Sequence, residues 1–199
     1  VRKMENIYST IQETKREIIK FLQDYYGGCD EDFEFKWKSD IRNTKVIITD
    51  QFAINLGEIQ KTPAITVSRG SISFRDRIPG LRDINWKDTT FRYLDLYIAQ
   101  IQINCQSIYG LVAERLAEYT FNVFLYYGEN CWKKLVPEIH QIFPLEVGSE
   151  IIQKGDTGPD IVNVPILIGF EITKSWAITN QGPKLEDIKI KGPVPPEEL

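Results

Sequence analysis

The chain has 199 residues, of which 42% are hydrophobic and 26% charged, with a formal net charge of -4. This length and composition fit one domain with an appendage, able to bury a core without disulfides or metal. The acidic balance argues against a protein that grips phosphates, but not against one past which DNA slides, since like charge prevents sticking.

Residues 3–26 have the spacing of an amphipathic helix, with Ile7, Ile11, Ile18, Leu22 and Tyr25 on one face and Glu13, Lys15, Arg16 and Glu17 largely on the other. Gly27 and Gly28 are expected to stop it. A charged connector follows from Asp30 to about Thr44. Val46, Ile47 and Ile48 form a short β-branched strand, and Thr62-Pro63 punctuates the chain. Ala64–Ser68 and Ser71–Arg75 read as two strands of a hairpin turning at Arg69-Gly70. Residues 76–92, with Pro79, Gly80, Asp83 and Trp86, have the composition of a long working loop.

The strand signal is clearest over 93–106. Ala99, Ile101, Ile103 and Cys105 alternate strictly with Gln100, Gln102, Asn104 and Gln106, so one face is buried and the other polar. Its length exceeds the usual five or six residues, so it is expected to project beyond the sheet. Ser107 is placed to cap a helix over 109–127 that is apolar around most of its circumference, hence well buried, and ended by Gly128. Residues 131–143 read as irregular, Leu145–Ile152 as a strand, and Gly155–Pro159 as a turn. Ile161–Ile178 reads as a second long strand, with Val162, Val164, Ile166, Ile168, Phe170 and Ile172 on one side; Pro165 points to an edge or a bulge. From Gly182 the chain is polar and proline-rich. The expected domain is therefore 1–182, with 183–199 as an extended tail that orders against a neighbour. The fold class is α+β: a single domain with a mixed, mostly antiparallel sheet, helices packed on one face and an N-terminal amphipathic helix.

No phosphate-binding glycine loop, GxGxxG or GxSxG occurs; Thr173-Lys174-Ser175 lacks the glycines. His140 is the one histidine and reads as structural. Glu34-Phe35-Lys36, preceded by Asp30, Glu31 and Asp32, fits the end of a metal-nuclease motif, although a solvated charged connector is the plainer reading. Asp156–Asp160 offers too few oxygens for calcium and reads as a turn. Arg69, Arg75, Arg77 and Arg82, followed by Trp86 and Phe91, suit a protein interface better than nucleic acid, because Asp76, Asp83 and Asp88 interrupt the charge. Trp132 and Trp176 fit a core or an interface. Cys29, Cys105 and Cys131 form no CxxC pair and fit reduced thiols in a cytosolic setting. The charged, then amphipathic, N-terminus has no signal-peptide pattern, and no apolar run nears the roughly 20 residues needed to cross a bilayer. Val1 in place of a start methionine fits a processed or trimmed chain.

Three stretches carry a family resemblance. They are Pro63-Ala64-Ile65-Thr66-Val67 with the expected hairpin, the strand Ile98–Gln106 leading into Leu111–Leu125, and the strand Val164–Ile172 followed by Trp176. With the first helix they cover roughly residues 4–180, and they resemble the tail terminator (tail completion) and neck proteins of long-tailed phages. Segments 29–44, 76–92 and 183–199 are longer than that pattern. The resemblance implies a structural virion protein of the tail or neck, not an enzyme and without a cofactor, assembled in the host cytoplasm. It implies a homo-oligomer, a hexameric ring, that caps the tail tube at its head-proximal end in head-tail joining. Its implied partners are the tail tube protein, the neck and connector proteins and, in a contractile tail, the sheath; DNA passes through the lumen without sequence-specific binding, and no membrane is involved. A head-to-tail adaptor ring and a small Mg²⁺-dependent nuclease using Glu34 and Lys36 stand as alternatives. Head-to-tail rings need two different surfaces per protomer. The candidate subunit-interface residues are Phe74, Arg75, Arg77, Arg82, Trp86, Phe91, Gln100 and Gln102, with Leu185, Ile188 and Ile190 in the tail.

Overall fold

The computed structural model describes residues 7–54, 56–59, 61–77, 84–85, 90–135, 139–154 and 159–179. Helix α1, Ile7–Gly28, buries Ile11, Ile18, Leu22 and Tyr26, residues four and seven apart on one face. The helix runs through Gly27 and Gly28 and ends there. Lys36 closes its end: the ammonium donates to the Gly27 carbonyl at 2.7 Å and also to the Cys29 carbonyl. Helix C-termini leave such carbonyls without partners, and a cation suits the negative end of the dipole. The connector that supplies Lys36 has no regular secondary structure, but it is more than a solvated link. Its Phe35 is fully buried and meets Tyr119 edge-on.

The strands are β1 (Ile47–Asp50), β2 (Ala64–Arg77), β3 (Ile84–Asn85), β4 (Thr90–Ser107), β5 (Ile139–Val147), β6 (Ile151–Gln153) and β7 (Ile161–Thr179). Among the described residues they form one seven-stranded sheet in the order β1-β2-β4-β7-β5, with β3 beside β4 and β6 beside β7. β1 and β2 are parallel; the other pairs are antiparallel. Two helical pieces, a 3-10 turn at Gln51–Ala53 and the short α2 (Leu56–Ile59), follow β1, and the long helix α3 (Gly110–Leu135) follows β4.

Alternation places the core. Ile65 and Val67 of β2, Ile101, Ile103 and Cys105 of β4, and Val164, Ile166 and Ile168 of β7 lie in register on one face and are buried in a single cluster with α1 and α3. The helices meet through Tyr26, whose hydroxyl lies 2.8 Å from the Thr120 hydroxyl oxygen. The opposite face carries Thr66, Asn104, Gln106 and Asn163, yet these are buried as well. At that end Ile59 packs with Ile47, Ala64 and Ile161 as a second small cluster. The α+β reading, with a mostly antiparallel sheet and an N-terminal amphipathic helix, is what the chain adopts.

Several boundaries differ from the sequence expectation. No hairpin forms at Arg69-Gly70: β2 continues through it, with a register shift between Arg69 and Ile72. Gly70 is required there by close approach, since a β-carbon would sit 3.0 Å from both the Gln100 carbonyl oxygen and its Cβ. The supposed loop 76–92 holds the end of β2, β3 and the start of β4. β4 does not project alone, because β7 pairs with it from Thr90 to Ser107. α3 passes through Gly128 to Leu135, and it is not buried all round: Leu111, Leu125 and Tyr126 are exposed. The described residues of 131–143 are helix to Leu135 and strand from Ile139, and Leu145–Ile152 divides between β5 and β6. Ser107 does not cap α3: it ends β4, and its hydroxyl accepts at 3.2 Å from the amide of Tyr109, ahead of the helix, while the Tyr109 carbonyl accepts the first helical bonds from Val112 and Ala113. Pro165 lies in an interior strand, not an edge. Its position falls between Asn163, paired with β6, and Ile166, paired with β5, where no ladder bond to a neighbour on that side needs its missing N–H. The turn 155–159 and the tail 183–199 lie outside the described residues, apart from Pro159.

Asp50 ties α1 to the sheet. Its carboxylate pairs with Lys15 and accepts from the Phe52 amide at 3.0 Å. Burial works to raise its pKa, but these two partners outweigh burial and hold it below the ordinary carboxylate range. A carboxylate depressed in the folded state stabilises above its unfolded value and loses that contribution as pH falls through the folded value. Asp50→Asn is therefore expected to flatten the acid limb of a stability-versus-pH curve below about pH 4. An acid limb identical to wild type would show that this pair does not couple to folding.

Candidate subunit interface

The sequence candidates fall into three groups. Phe74 and Arg75 lie near the outer end of β2 and are exposed, Phe74 at 54%. The Phe74 ring meets Tyr97 edge-on, and Arg75 reaches across β4 to Glu171 of β7 at 2.5 Å. Gln100 and Gln102 are half-buried on the polar face of β4 and are engaged within the chain. The Gln100 side-chain oxygen accepts from Ser71 at 2.7 Å, and the Gln102 amide donates to Asn104 at 2.7 Å. The backbone of Arg77 lies in β2 and that of Phe91 in β4. Arg82, Trp86, Leu185, Ile188 and Ile190 lie outside the described residues.

The sheet leaves the basic stretch open. β1 covers β2 only from Ala64 to Val67, so among the described residues no strand pairs with the outer edge of β2 beyond that point. Arg69, Arg75 and Arg77 lie on this stretch against Asp76 alone.

A second surface was not expected from the sequence. Glu114, Glu118 and Phe121 of α3, Val147 at the end of β5, Gly148–Glu150 and Val164 of β7 line a groove of about 330 Å³. Gly148 shapes one wall: its amide donates to the Pro165 carbonyl at 2.7 Å, and a β-carbon on it would lie 2.8 Å from the Pro165 ring. Phe121, Val147 and Val164 give the groove apolar lining, and Glu114, Glu118 and Glu150 give it an acidic rim. Beside it Leu145, Ile151 and Ile152 are exposed. One signal was available: Glu114 and Glu118, four apart, interrupt the apolar residues in the first half of α3 and share one outward stripe.

The residues weighed for chemistry are held apart. Glu34 pairs with Arg115 of α3 at 2.9 Å, while Lys36 is turned to the end of α1, so the two point to different partners. Among the described residues no group of three or more His, Cys, Asp or Glu side chains is placed to hold a metal ion. The His140 Nε2 lies 2.6 Å from the Thr173 hydroxyl at the surface. Cys105 is fully buried, and burial pushes its thiol pKa up to about 12, which leaves it un-ionised at neutral pH. No described helix is long and apolar enough to cross a membrane. No protein-family model matches the chain, and no curated protein matches it.

Proposed function

We propose that this chain is a structural, ring-forming virion protein of a tailed phage, capping the head-proximal end of the tail tube and joining it to the neck. One observation carries the reading. The core is closed by α1 and α3, yet the protomer still presents two unlike surfaces, a basic open sheet edge on β2 and an acidic apolar groove beside α3. Unlike surfaces on one protomer are what head-to-tail cyclic assembly requires. Exposed large apolar side chains such as Leu111, Leu125 and Ile152 mark a surface suited to protein contact. The net charge of -4 suits a lumen that passes DNA without gripping it. The partners on this reading are further copies of the chain, the tube protein and the neck connector.

Light scattering and negative-stain electron microscopy test it. The expected result is a closed ring, hexameric by subunit counting, that binds the ends of tail-tube polymers. A twelvefold ring that binds the head portal instead would favour the adaptor reading. A chain that stays monomeric at every concentration and cleaves DNA with Mg²⁺ would sink the proposal.

A further inference from the structure

We propose that the outer stretch of β2, residues 69–77, of one copy seats in the acidic groove between α3 and the β5–β6 turn of the next copy. The inference rests on the ring reading and names the contact that closes it.

The chemistry of the two surfaces is complementary. The groove is apolar at Phe121, Val147 and Val164, and among the described residues none of Glu114, Glu118 and Glu150 pairs with a cation. The β2 stretch offers an exposed phenyl ring at Phe74 flanked by exposed Arg69 and Arg75. In sequence, three arginines stand against one aspartate over 69–77. A space of about 330 Å³ holds one aromatic side chain and leaves the rim carboxylates to meet the guanidinium groups. Arg75 already touches Glu171 of its own chain, but that pair is surface-exposed, so exchanging its partner costs little.

The fold prevents the two surfaces from meeting in one molecule. Phe74 is level with Tyr97, which is level with Ile172 of β7, whereas the groove lies at Val164. Eight residues along one strand amount to roughly 26 Å. The two sites also belong to opposite flanks of the sheet, with β4 and β7 between β2 and β5. Only another copy can bring them together. A contact between two different patches is heterologous, so its repetition closes a ring or grows a filament.

Charge reversal in the full-length chain tests the contact. One variant carries Glu114→Lys and Glu118→Lys, the other Arg69→Glu and Arg75→Glu; all four residues are exposed. Each variant alone should be monomeric at concentrations where wild type is a ring. An equimolar mixture should regain ring mass, because each remaining interface again joins opposite charges. Thermal unfolding of each variant checks its fold. Should a reversal misfold, Glu118→Gln and Phe74→Ala are read in its place, each weakening assembly at least tenfold. A wild-type ring that both folded reversals leave intact overturns this contact and spares the ring. Loss of assembly without rescue in the mixture also overturns it. Wild type that is monomeric at all concentrations overturns both.

Discussion

Tyr26→Ala should lower the unfolding free energy by about 3–5 kcal/mol, the range for truncating a large buried aromatic side chain. Tyr26 is fully buried on the last turn of α1 and stacks on Phe33, with ring centroids 6.2 Å apart. Its hydroxyl is also committed. The Thr120 hydroxyl donates to the Leu116 carbonyl at 2.7 Å, which uses its one hydrogen, so Tyr26 must be the donor in the 2.8 Å bond between them. Burial drives the Tyr26 phenol pKa well above its ordinary value, so the group remains a donor at any working pH. One side chain thus joins α1 to α3 and to the connector. Tyr26→Phe keeps the ring and removes only the hydrogen bond, and should cost about 0.5–1.5 kcal/mol. Urea unfolding of the two variants separates ring from hydroxyl. Equal losses would mean that packing against Phe33 contributes little and that the helices are joined elsewhere.

What the sequence made legible follows from period and register. β4 and β7 are readable because each alternates along its length, and each buries its apolar side under the same two helices. Alternation is a local property, so a window of residues carries it. The failures share another cause. Gly70 looks like a turn in any window, but it serves the approach of Gln100 from a strand far along the chain. Gly128 looks like a stop, but a glycine in a helix costs only about 1 kcal/mol, and α3 continues through it. The groove was hidden for the same reason. Its α3 wall and its Val147–Glu150 wall come from separate elements, and no local pattern brings them together. The basic stretch of β2 was readable as a charge run, but its exposure depends on β1 ending at Asp50, opposite Val67.

Lys36 supplies the second large effect and separates a structural role from a catalytic one. Its ammonium is nearly buried and donates to two carbonyls at the end of α1, while Glu31 lies 3.7 Å away. Hydrogen bonds from a charged donor are worth roughly 1.5–3 kcal/mol, and Lys36→Met leaves the carbonyls without that partner while keeping most of the stem. The expected result is a loss of about 1.5–3 kcal/mol, with faster amide exchange over the last turn of α1 and the connector. Glu34→Ala should change stability by no more than about 1 kcal/mol, because its pair with Arg115 is exposed on both sides. A nuclease built on these residues predicts the reverse pattern: both substitutions abolish Mg²⁺-dependent DNA cleavage, and neither needs to disturb α1. The ordering of the two stability losses therefore reports which task the Glu34-Phe35-Lys36 segment performs. The cap places Lys36 under the helix that Tyr26 anchors, so a Lys36→Met chain that keeps wild-type stability and exchange would remove the structural account of this connector.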